Sequence, residues 1–291
     1  MRYHGTVIRP PSEAYSYILQ VTYGCSHNRC TFCGTYLDKP FQPRKIDEIL
    51  EDIQLAGRTI PDTRRVFLAD GDALALSTRR LAQILEALQA AFPNLERVGA
   101  YANAKNLLGK RDAELGILVQ QGLGIVYLGL ESGSDEILSR IDKGANASEM
   151  IAAVRKAKRA GLLVSIIGIL GIGGPELSEH HAEQTGHVVS QMDPDYFSML
   201  TLMLVPGTKL HRQWQSGEFQ LLEPEEMLAE LRQVIEHTHD LTQCVFRTNH
   251  ASNYLPLKGT LHQDKERLLE TLDAALAQGK EALRPEAWRG L

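Results

Sequence analysis

Short apolar runs alternate six times with longer amphipathic stretches, and this alternation constrains the fold of the chain more than any other feature. The runs are rich in Val, Ile, Leu and Tyr, as buried parallel strands are. They cover residues 17–22, 65–69, 98–101, 125–130, 163–169 and 196–204. The stretches between them have apolar residues at helical spacing, such as Ile46, Ile49 and Ile53, and helix signals such as the cap residue Ser77.

Six β–α units with right-handed crossovers build a parallel sheet with helices packed on it. The sequence therefore predicts an α/β fold. Periodicity alone leaves open whether the sheet is flat and doubly wound or curved into a full or partial barrel. We expect a core domain over residues 1–216 and, over 217–291, a C-terminal extension that is mainly helical and packs on the core.

Composition narrows the classes of partner. The 291 residues carry 31 Lys and Arg against 36 Asp and Glu, a net charge of −5, and no dense basic block. A nucleic-acid or anionic-membrane surface is therefore not indicated. The N-terminus does not have the pattern of a signal peptide, and no window reaches the roughly 18 apolar residues of a membrane helix. We expect a cytoplasmic protein without a membrane partner.

Three of the four cysteines lie within nine residues, directly after the first predicted strand. Cys25, Cys30 and Cys33 have the spacing C-x4-C-x2-C. Clustered thiolates select zinc or an iron–sulfur cluster. A structural zinc needs four protein ligands, for which His27 or the remote Cys244 are candidates. Three thiolates on a [4Fe–4S] cluster would instead leave one iron open to a ligand. From spacing alone, zinc, an iron–sulfur cluster and unligated cysteines all remain open.

Further segments carry a resemblance to a known family. Phe32 stands before the last cysteine, "ADGD" follows the second strand, "GLESGSDEILSRIDKG" ends the fourth, and "LVPGTKL" ends the sixth. In order and spacing they resemble the radical S-adenosylmethionine superfamily, in its methylthiotransferase-like and coproporphyrinogen-dehydrogenase-like branches. The usual signature of that family is C-x3-C-x2-C, so this chain has one extra residue. The resemblance covers about residues 17–210 and implies a partial (β/α)6 TIM-type barrel.

The resemblance also implies a set of cofactor-binding residues. Cys25, Cys30 and Cys33 would hold a [4Fe–4S] cluster, with Phe32 beside it. The remaining positions implied to bind S-adenosyl-L-methionine are Asp70, Gly71 and Asp72 (the methionine amino group), Glu131 (the ribose hydroxyls), Ser132, Lys143 (the carboxylate) and Gly168 in the fifth strand (the adenosyl group).

The activity implied is reductive cleavage of S-adenosylmethionine to a 5′-deoxyadenosyl radical, which abstracts hydrogen from an unknown substrate. Such an oxidoreductase or transferase takes its electron from flavodoxin or ferredoxin. The alternative from the residues alone is a zinc-stabilised α/β binding protein without catalysis.

The C-terminal segment "FRTNHASNY" has more hydrogen-bonding side chains than an ordinary loop needs. We expect it to cover the open face of a partial barrel. Asn249, His250 and Asn253 are the predicted substrate contacts, with Arg247 and Tyr254 beside them. Cys244 is expected to be a small buried hydrophobic residue.

Overall fold

The computed structural model describes residues 1–290, and the chain forms two compact units. The first unit comprises residues 1–28, 35–128 and 152–164. The second comprises residues 29–34, 129–151 and 165–291. Residues 217–290 belong to the same unit as residues 165–216, and the predicted boundary near residue 217 stays a prediction.

The strands and helices follow in the predicted alternating order. The strands are β1 (Tyr17–Gln20), β2 (Thr22–Tyr23), β3 (Gln42–Pro43), β4 (Arg65–Ala69), β5 (Arg97–Tyr101), β6 (Leu123–Glu131), β7 (Leu163–Leu170), β8 (Tyr196–Thr201), β9 (Val245–Arg247) and β10 (Lys258–Thr260). The helices are α1 (Ile46–Thr59), α2 (Thr78–Ala91), α3 (Ala104–Gly109), α4 (Asp112–Gln120), α5 (Asp135–Arg140), α6 (Ala147–Arg159), α7 (Gly174–Met192), α8 (Lys209–Gln215), α9 (Pro224–Glu236) and α10 (Leu261–Gln278).

The first unit contains a parallel sheet with strand order β1–β4–β5–β6. In β5, Val98 and Ala100 are fully buried, whereas Arg97 and Tyr101 on the alternate face are partly exposed. Tyr17 of β1 pairs with Val66 of β4. Ala100 of β5 pairs with Val126 of β6, beyond a shift in register between Val98 and Gly99. Because the strands are parallel, their carboxyl ends lie at one edge of this sheet, and the segments that follow β1, β4 and β5 meet there.

The second unit contains the order β7–β8–β9–β10, in which β7, β8 and β9 are parallel and β10 is antiparallel to β9. The expectation of a mainly helical C-terminal extension is confirmed. Its irregular segment also contains the two short strands β9 and β10. Three-residue strands are too short to produce a hydrophobic period in the sequence. Helices α9 and α10 supply the rest of the extension, as expected.

The sequence located the six main strands to within a few residues. The bounds of β4 are the predicted ones, and β6 is longer at both ends, reaching Glu131. The Ser77 cap is confirmed, since its side chain accepts a hydrogen bond from the Arg80 amide at the start of α2. Among residues 1–290 no helix is long and apolar enough to cross a membrane.

Candidate active site

The turn after β4 places Asp70 in a buried polar pocket of the first unit. Oδ2 of Asp70 pairs with Lys39 Nζ at 2.9 Å and accepts hydrogen bonds from Gln20 and the Gly24 amide. Lys39 is itself buried and also donates to the Thr6 carbonyl at 2.7 Å. Oδ1 of Asp70 is buried and has no hydrogen-bond partner among the described residues.

Asp72, two residues later, is also buried and is also hydrogen-bonded through Oδ2 alone. Its Oδ2 accepts from Ser26, from Asn106 and, at 2.7 Å, from Asn103 Nδ2. Asn103 is fixed because it also caps helix α3. Burial raises the pKa of Asp72, against the lowering effect of the Ser26 and Asn106 hydrogen bonds. Its Oδ1 is buried without a partner within residues 1–290. A buried carboxylate oxygen without a donor is costly, so both aspartates are suited to a cationic ligand.

Gly71, between the two aspartates, is packed against Cys25. A Cβ at this position would lie 2.5 Å from the Tyr36 ring and 3.0 Å from the Cys25 Cβ, so only glycine fits. Asn28, three residues after Cys25, has a left-handed φ of 43° and donates from its side chain to the Tyr36 carbonyl at 2.9 Å. The first cysteine thus lies directly against the β4 turn.

The other two cysteines of the motif lie in the second unit. The Cys33 amide donates to the Cys30 carbonyl at 3.2 Å, and Thr31 between them bonds to the backbones of Ile141 and Leu210. Phe32 packs against an apolar cluster that includes Ile137, Ile141 and Leu210. The Phe32 side chain is thus partly buried against this cluster. Its predicted cofactor contact stays a prediction.

All three cysteines of the motif are partly exposed, whereas Cys244 is fully buried. The thiols of the motif are thus the accessible set, and the burial of Cys244 is as expected. Among residues 1–290, no three Cys, His, Asp or Glu side chains converge as a preformed metal shell. Assignment of the three thiols to one metal cluster therefore rests on the donor set.

Glu131 ends β6 in a strained turn of the second unit. Its φ is +63°, in the left-handed region that residues other than glycine rarely adopt, and the Ser132 amide donates to the Leu130 carbonyl at 2.8 Å. Such strain costs about 1–3 kcal/mol and is typical of functional sites. Lys143 Nζ donates to Glu131 Oε1 at 2.7 Å. An ammonium has three N–H donors and can therefore serve more than one acceptor.

Ser132 makes hydrogen bonds inside the protein, and its predicted cofactor contact stays a prediction. It is fully buried, its Oγ lies 2.8 Å from His181 Nδ1, and it accepts from the Ser134 amide at 3.0 Å. The sequence pattern does not single out His181, or Glu230 on α9, which lies near it. The one available signal for His181 was its position on the face of α7 that also carries Thr185, Val188 and Val189, all buried.

The space beside Gly168 in β7 is filled by a neighbouring side chain. A Cβ on Gly168 would lie 2.5 Å from Met199 Sδ and 3.2 Å from its Cε. The glycine therefore accommodates Met199 of β8 in the structure. Its predicted contact with an adenosyl group stays a prediction, and would require the flexible Met199 side chain to move.

The three predicted substrate residues lie in different environments. Asn249 is exposed and His250 is half-buried, with its Nδ1 2.9 Å from Ser252 Oγ. Asn253 is buried, donates to the carbonyls of Met199 and Thr248, and accepts from Thr201. The amide of Asn253 thus has protein partners for both donors and its oxygen, and its predicted substrate contact stays a prediction.

Comparison with known families places these features in context. The sequence profile described as the Radical SAM superfamily matches residues 19–188, more than half of the chain. The chain belongs to the Radical SAM superfamily. The matched residues include the cysteine motif, both aspartates of the β4 turn, and the Glu131–Lys143 pair.

Two curated relatives illustrate the range of proteins that the chain is similar to. The heme chaperone HemW of Bacillus subtilis is 22% identical over 219 residues, which are 72% of this chain and 56% of the relative. An uncharacterized methyltransferase of Pyrococcus horikoshii is 26% identical over 195 residues, 66% of this chain and 40% of the relative. The chain thus spans about half the length of these relatives.

Solved structures show the same fold. Coproporphyrinogen III oxidase (HemN) from Escherichia coli, described as a radical SAM enzyme, matches with a TM-score of 0.57 at 16% identity. The match covers 76% of this chain and 51% of that one. The likeness confirms the predicted fold class, a partial (β/α)6 barrel of parallel strands.

The residues present fit the two groups that the family implies. Three partly exposed thiols are suitable ligands for an iron–sulfur cluster, since thiolates are what such clusters require. The partnerless oxygens of Asp70 and Asp72 are suitable acceptors for an ammonium group, and the Glu131 carboxylate for a pair of hydroxyls, as in dinucleotide sites.

Proposed function

We propose that this protein is a radical S-adenosylmethionine enzyme with one [4Fe–4S] cluster and a substrate still to be identified. The observation that carries the proposal is the set of three accessible thiols within nine residues, inside the region that matches the superfamily. When bound, the cluster supplies the electron that cleaves the sulfonium bond of S-adenosylmethionine to methionine and a 5′-deoxyadenosyl radical.

The residues of this chain bind and orient the groups. Cys25, Cys30 and Cys33 supply the thiolates. Asp72 accepts from the methionine ammonium, because its Oδ2 is held by three donors while its Oδ1 is left without one. Asp70 keeps the same turn in place through its ion pair with Lys39.

Residues at and after the end of β6 are the proposed ligands of the ribose and the methionine carboxylate. Glu131 accepts from the ribose hydroxyls, and Lys143 holds the Glu131 carboxylate while directing a further N–H to the methionine carboxylate. Gly168 admits the adenosyl group once Met199 moves aside. Asn249, His250 and Asn253 are the proposed substrate contacts, and an external donor such as flavodoxin or ferredoxin supplies the electron.

We further propose that residues 1–216 form the catalytic core and that 217–291 support it from outside. The support for this is Glu230 of α9, whose carboxylate accepts from the Gly171 amide, directly after β7, at 2.7 Å. A helix of the extension thus binds a turn of the core.

The decisive experiment is anaerobic reconstitution with iron and sulfide, followed by reduction with dithionite in the presence of S-adenosylmethionine. We expect a brown protein with about four iron atoms per chain that forms 5′-deoxyadenosine and methionine. Replacement of Cys25, Cys30 or Cys33 by Ala should abolish both the colour and the cleavage. Cys244→Ala is the matched control and should retain both.

The alternative of a zinc-stabilised binding protein predicts the opposite result in the same assay. One tightly bound zinc per chain and no cleavage by the reconstituted protein would overturn the proposed function. Electron donors are compared next, by replacing dithionite with reduced flavodoxin or reduced ferredoxin.

A further inference from the structure

A buried polar network lies behind the Glu131 turn in the second unit. It consists of Ser132, Ser178, His181, Thr185 and Glu230. Each of these side chains is hydrogen-bonded to another group of the protein. Four of the five residues are buried. The network joins the turn after β6 to helix α7, and the turn after β7 to helix α9.

The Glu131 turn rests directly on α7. A Cβ at Gly133 would lie 2.3 Å from the Gln184 carbonyl oxygen, so the backbone of the turn touches the backbone of the helix. The Gly133 amide donates to Thr185 Oγ1 at 2.9 Å. Together with the 2.8 Å contact between Ser132 Oγ and His181 Nδ1, these bonds fix both residues that follow Glu131.

This arrangement explains how Glu131 keeps a backbone conformation that it would not adopt alone. A strained residue persists only where its surroundings over-determine it. Here the surroundings are side chains of α7, and Lys143 on the carboxylate itself. Without His181, the Ser132 hydroxyl would lose its partner on α7 and keep only the Ser134 amide, and the turn would lose one of its two side-chain anchors on α7.

Glu230 binds the other end of the network. Its carboxylate accepts from the Gly171 amide at 2.7 Å and from Ser178 Oγ at 2.5 Å, and its Oε1 lies 3.7 Å from His181 Nε2. Gly171 has a φ of +78°, and a Cβ there would lie 2.4 Å from the Met227 Cε of α9. Helix α9 is therefore in contact with the β7 turn, and Glu230 lies beside the ring that holds the β6 turn.

We propose that His181 and Glu230 are positioning residues that set the Glu131 carboxylate for the ribose hydroxyls of S-adenosylmethionine. This inference rests on the proposed function of Glu131. Neither residue touches the cofactor: His181 acts through Ser132, and Glu230 acts through His181 and the β7 turn. The C-terminal extension thereby contributes to cofactor affinity without entering the site.

The test is a double-mutant cycle between His181 and Glu131, read as the Kd of S-adenosylmethionine for the reconstituted protein by equilibrium dialysis. His181→Leu should weaken binding about tenfold, the effect of one lost hydrogen bond at the upper end of its range. In a Glu131→Gln background the same change should have almost no further effect, because the group it positions is already impaired.

Conservative variants separate positioning from a general loss of packing. His181→Asn keeps a polar atom for Ser132 and should restore binding to within about twofold, and Glu230→Gln should do the same where Glu230→Leu does not. His187→Leu is the control on the same helix, since that imidazole contacts the rings of His237 and His239 rather than the turn. It should leave the Kd unchanged.

A second readout needs no cofactor. Amide hydrogen exchange at Gly133 and Ser134 should be faster in His181→Leu and unchanged in His187→Leu. Multiplicative losses in the double mutant, or unchanged exchange at the turn, would overturn this inference alone. Failure of the wild-type protein to bind S-adenosylmethionine would overturn the proposed function and this inference with it.

Discussion

The two turns that carry the candidate carboxylates differ in what they leave unsatisfied, hydrogen bonds in one and backbone conformation in the other. The turn after β4 leaves Oδ1 of both Asp70 and Asp72 buried without a partner. The turn after β6 pairs its carboxylate, Glu131, with Lys143 and places it on a strained backbone. In the first turn the unmet requirement is electrostatic, and we propose that a ligand meets it. In the second it is conformational and is met by the protein itself.

The difference predicts what each turn contributes to binding. A buried carboxylate with a missing donor gains most from a cationic ligand, because the ligand removes a cost that is already present. A carboxylate with an existing ion pair gains less from neutral hydroxyls, because one partner is already supplied. The β4 turn should therefore provide most of the affinity, and the β6 turn most of the orientation.

The largest loss of S-adenosylmethionine affinity is expected for Asp72→Asn. The amide has no charge for the methionine ammonium, and its NH₂ group faces the Asn103 and Asn106 donors. S-adenosylmethionine affinity should fall roughly a thousandfold, about 4 kcal/mol, as for the loss of one partner of a buried charge pair. Isothermal titration of the reconstituted protein measures it. A loss below tenfold would show that the partnerless oxygen does not meet the ammonium.

The second prediction concerns the protons of the network behind the β6 turn. Burial raises the pKa of Glu230 from 4.5 to about 7 and lowers the pKa of His181 from 6.5 to about 4. From pH 4.5 to 6.5 the folded pair is a carboxylic acid and a neutral imidazole, whereas the unfolded chain has both charged. Both states bind one proton, so the wild-type pair adds no pH dependence to the free energy of unfolding.

Each single variant should show the pH dependence of the free energy of unfolding that the remaining residue of the pair contributes. In Glu230→Gln, the stability from neutral His181 is present above pH 6.5 and is lost as pH falls towards 4. In His181→Asn, the stability from protonated Glu230 is present below pH 4.5 and is lost as pH rises towards 7. Urea unfolding between pH 4.5 and 6.5 should give slopes of opposite sign, about 1.4 kcal/mol per pH unit. Parallel slopes would contradict the assignment.

A third prediction isolates the contribution of Glu131. Glu131→Gln keeps a hydrogen-bond acceptor for the ribose but loses its ion pair with Lys143. We expect S-adenosylmethionine to bind about tenfold more weakly, with a larger loss for S-adenosylmethionine than for its 2′-deoxy analogue. If both ligands lose affinity equally, Glu131 does not accept a hydrogen bond from the ribose 2′-hydroxyl.

The smallest predicted effect lies at the edge of the β4 turn. Ser26→Ala removes one of three donors to Asp72 Oδ2 and leaves Asn103 and Asn106 in place. Affinity should fall only about threefold. A loss as large as that of Asp72→Asn would mean that the turn does not hold its shape without the hydroxyl.

The strands could be predicted from the sequence because each is an apolar run. The residues at their carboxyl ends could be predicted because they lie in local motifs. Asp70, Asp72 and Glu131 each follow a strand that was identified by its composition. The partners that define their chemistry were not predictable, since Lys39 and Asn103 come from distant segments whose pattern is that of exposed loops. His181 lies in the polar stretch "SEHHAEQT", and Glu230 in an ordinary amphipathic helix, so only packing reveals that both are buried.

Asn28 has a consequence for how relatives of this chain are recognised. Its left-handed φ of 43° allows four residues between Cys25 and Cys30 while Cys25 keeps its contact with Gly71. Asparagine adopts this conformation more readily than most residues. A search pattern with exactly three residues in this interval passes over such chains. A pattern that also admits four, with Asn or Gly third, would collect them, and loop length would then mark a subgroup rather than a loss of the motif.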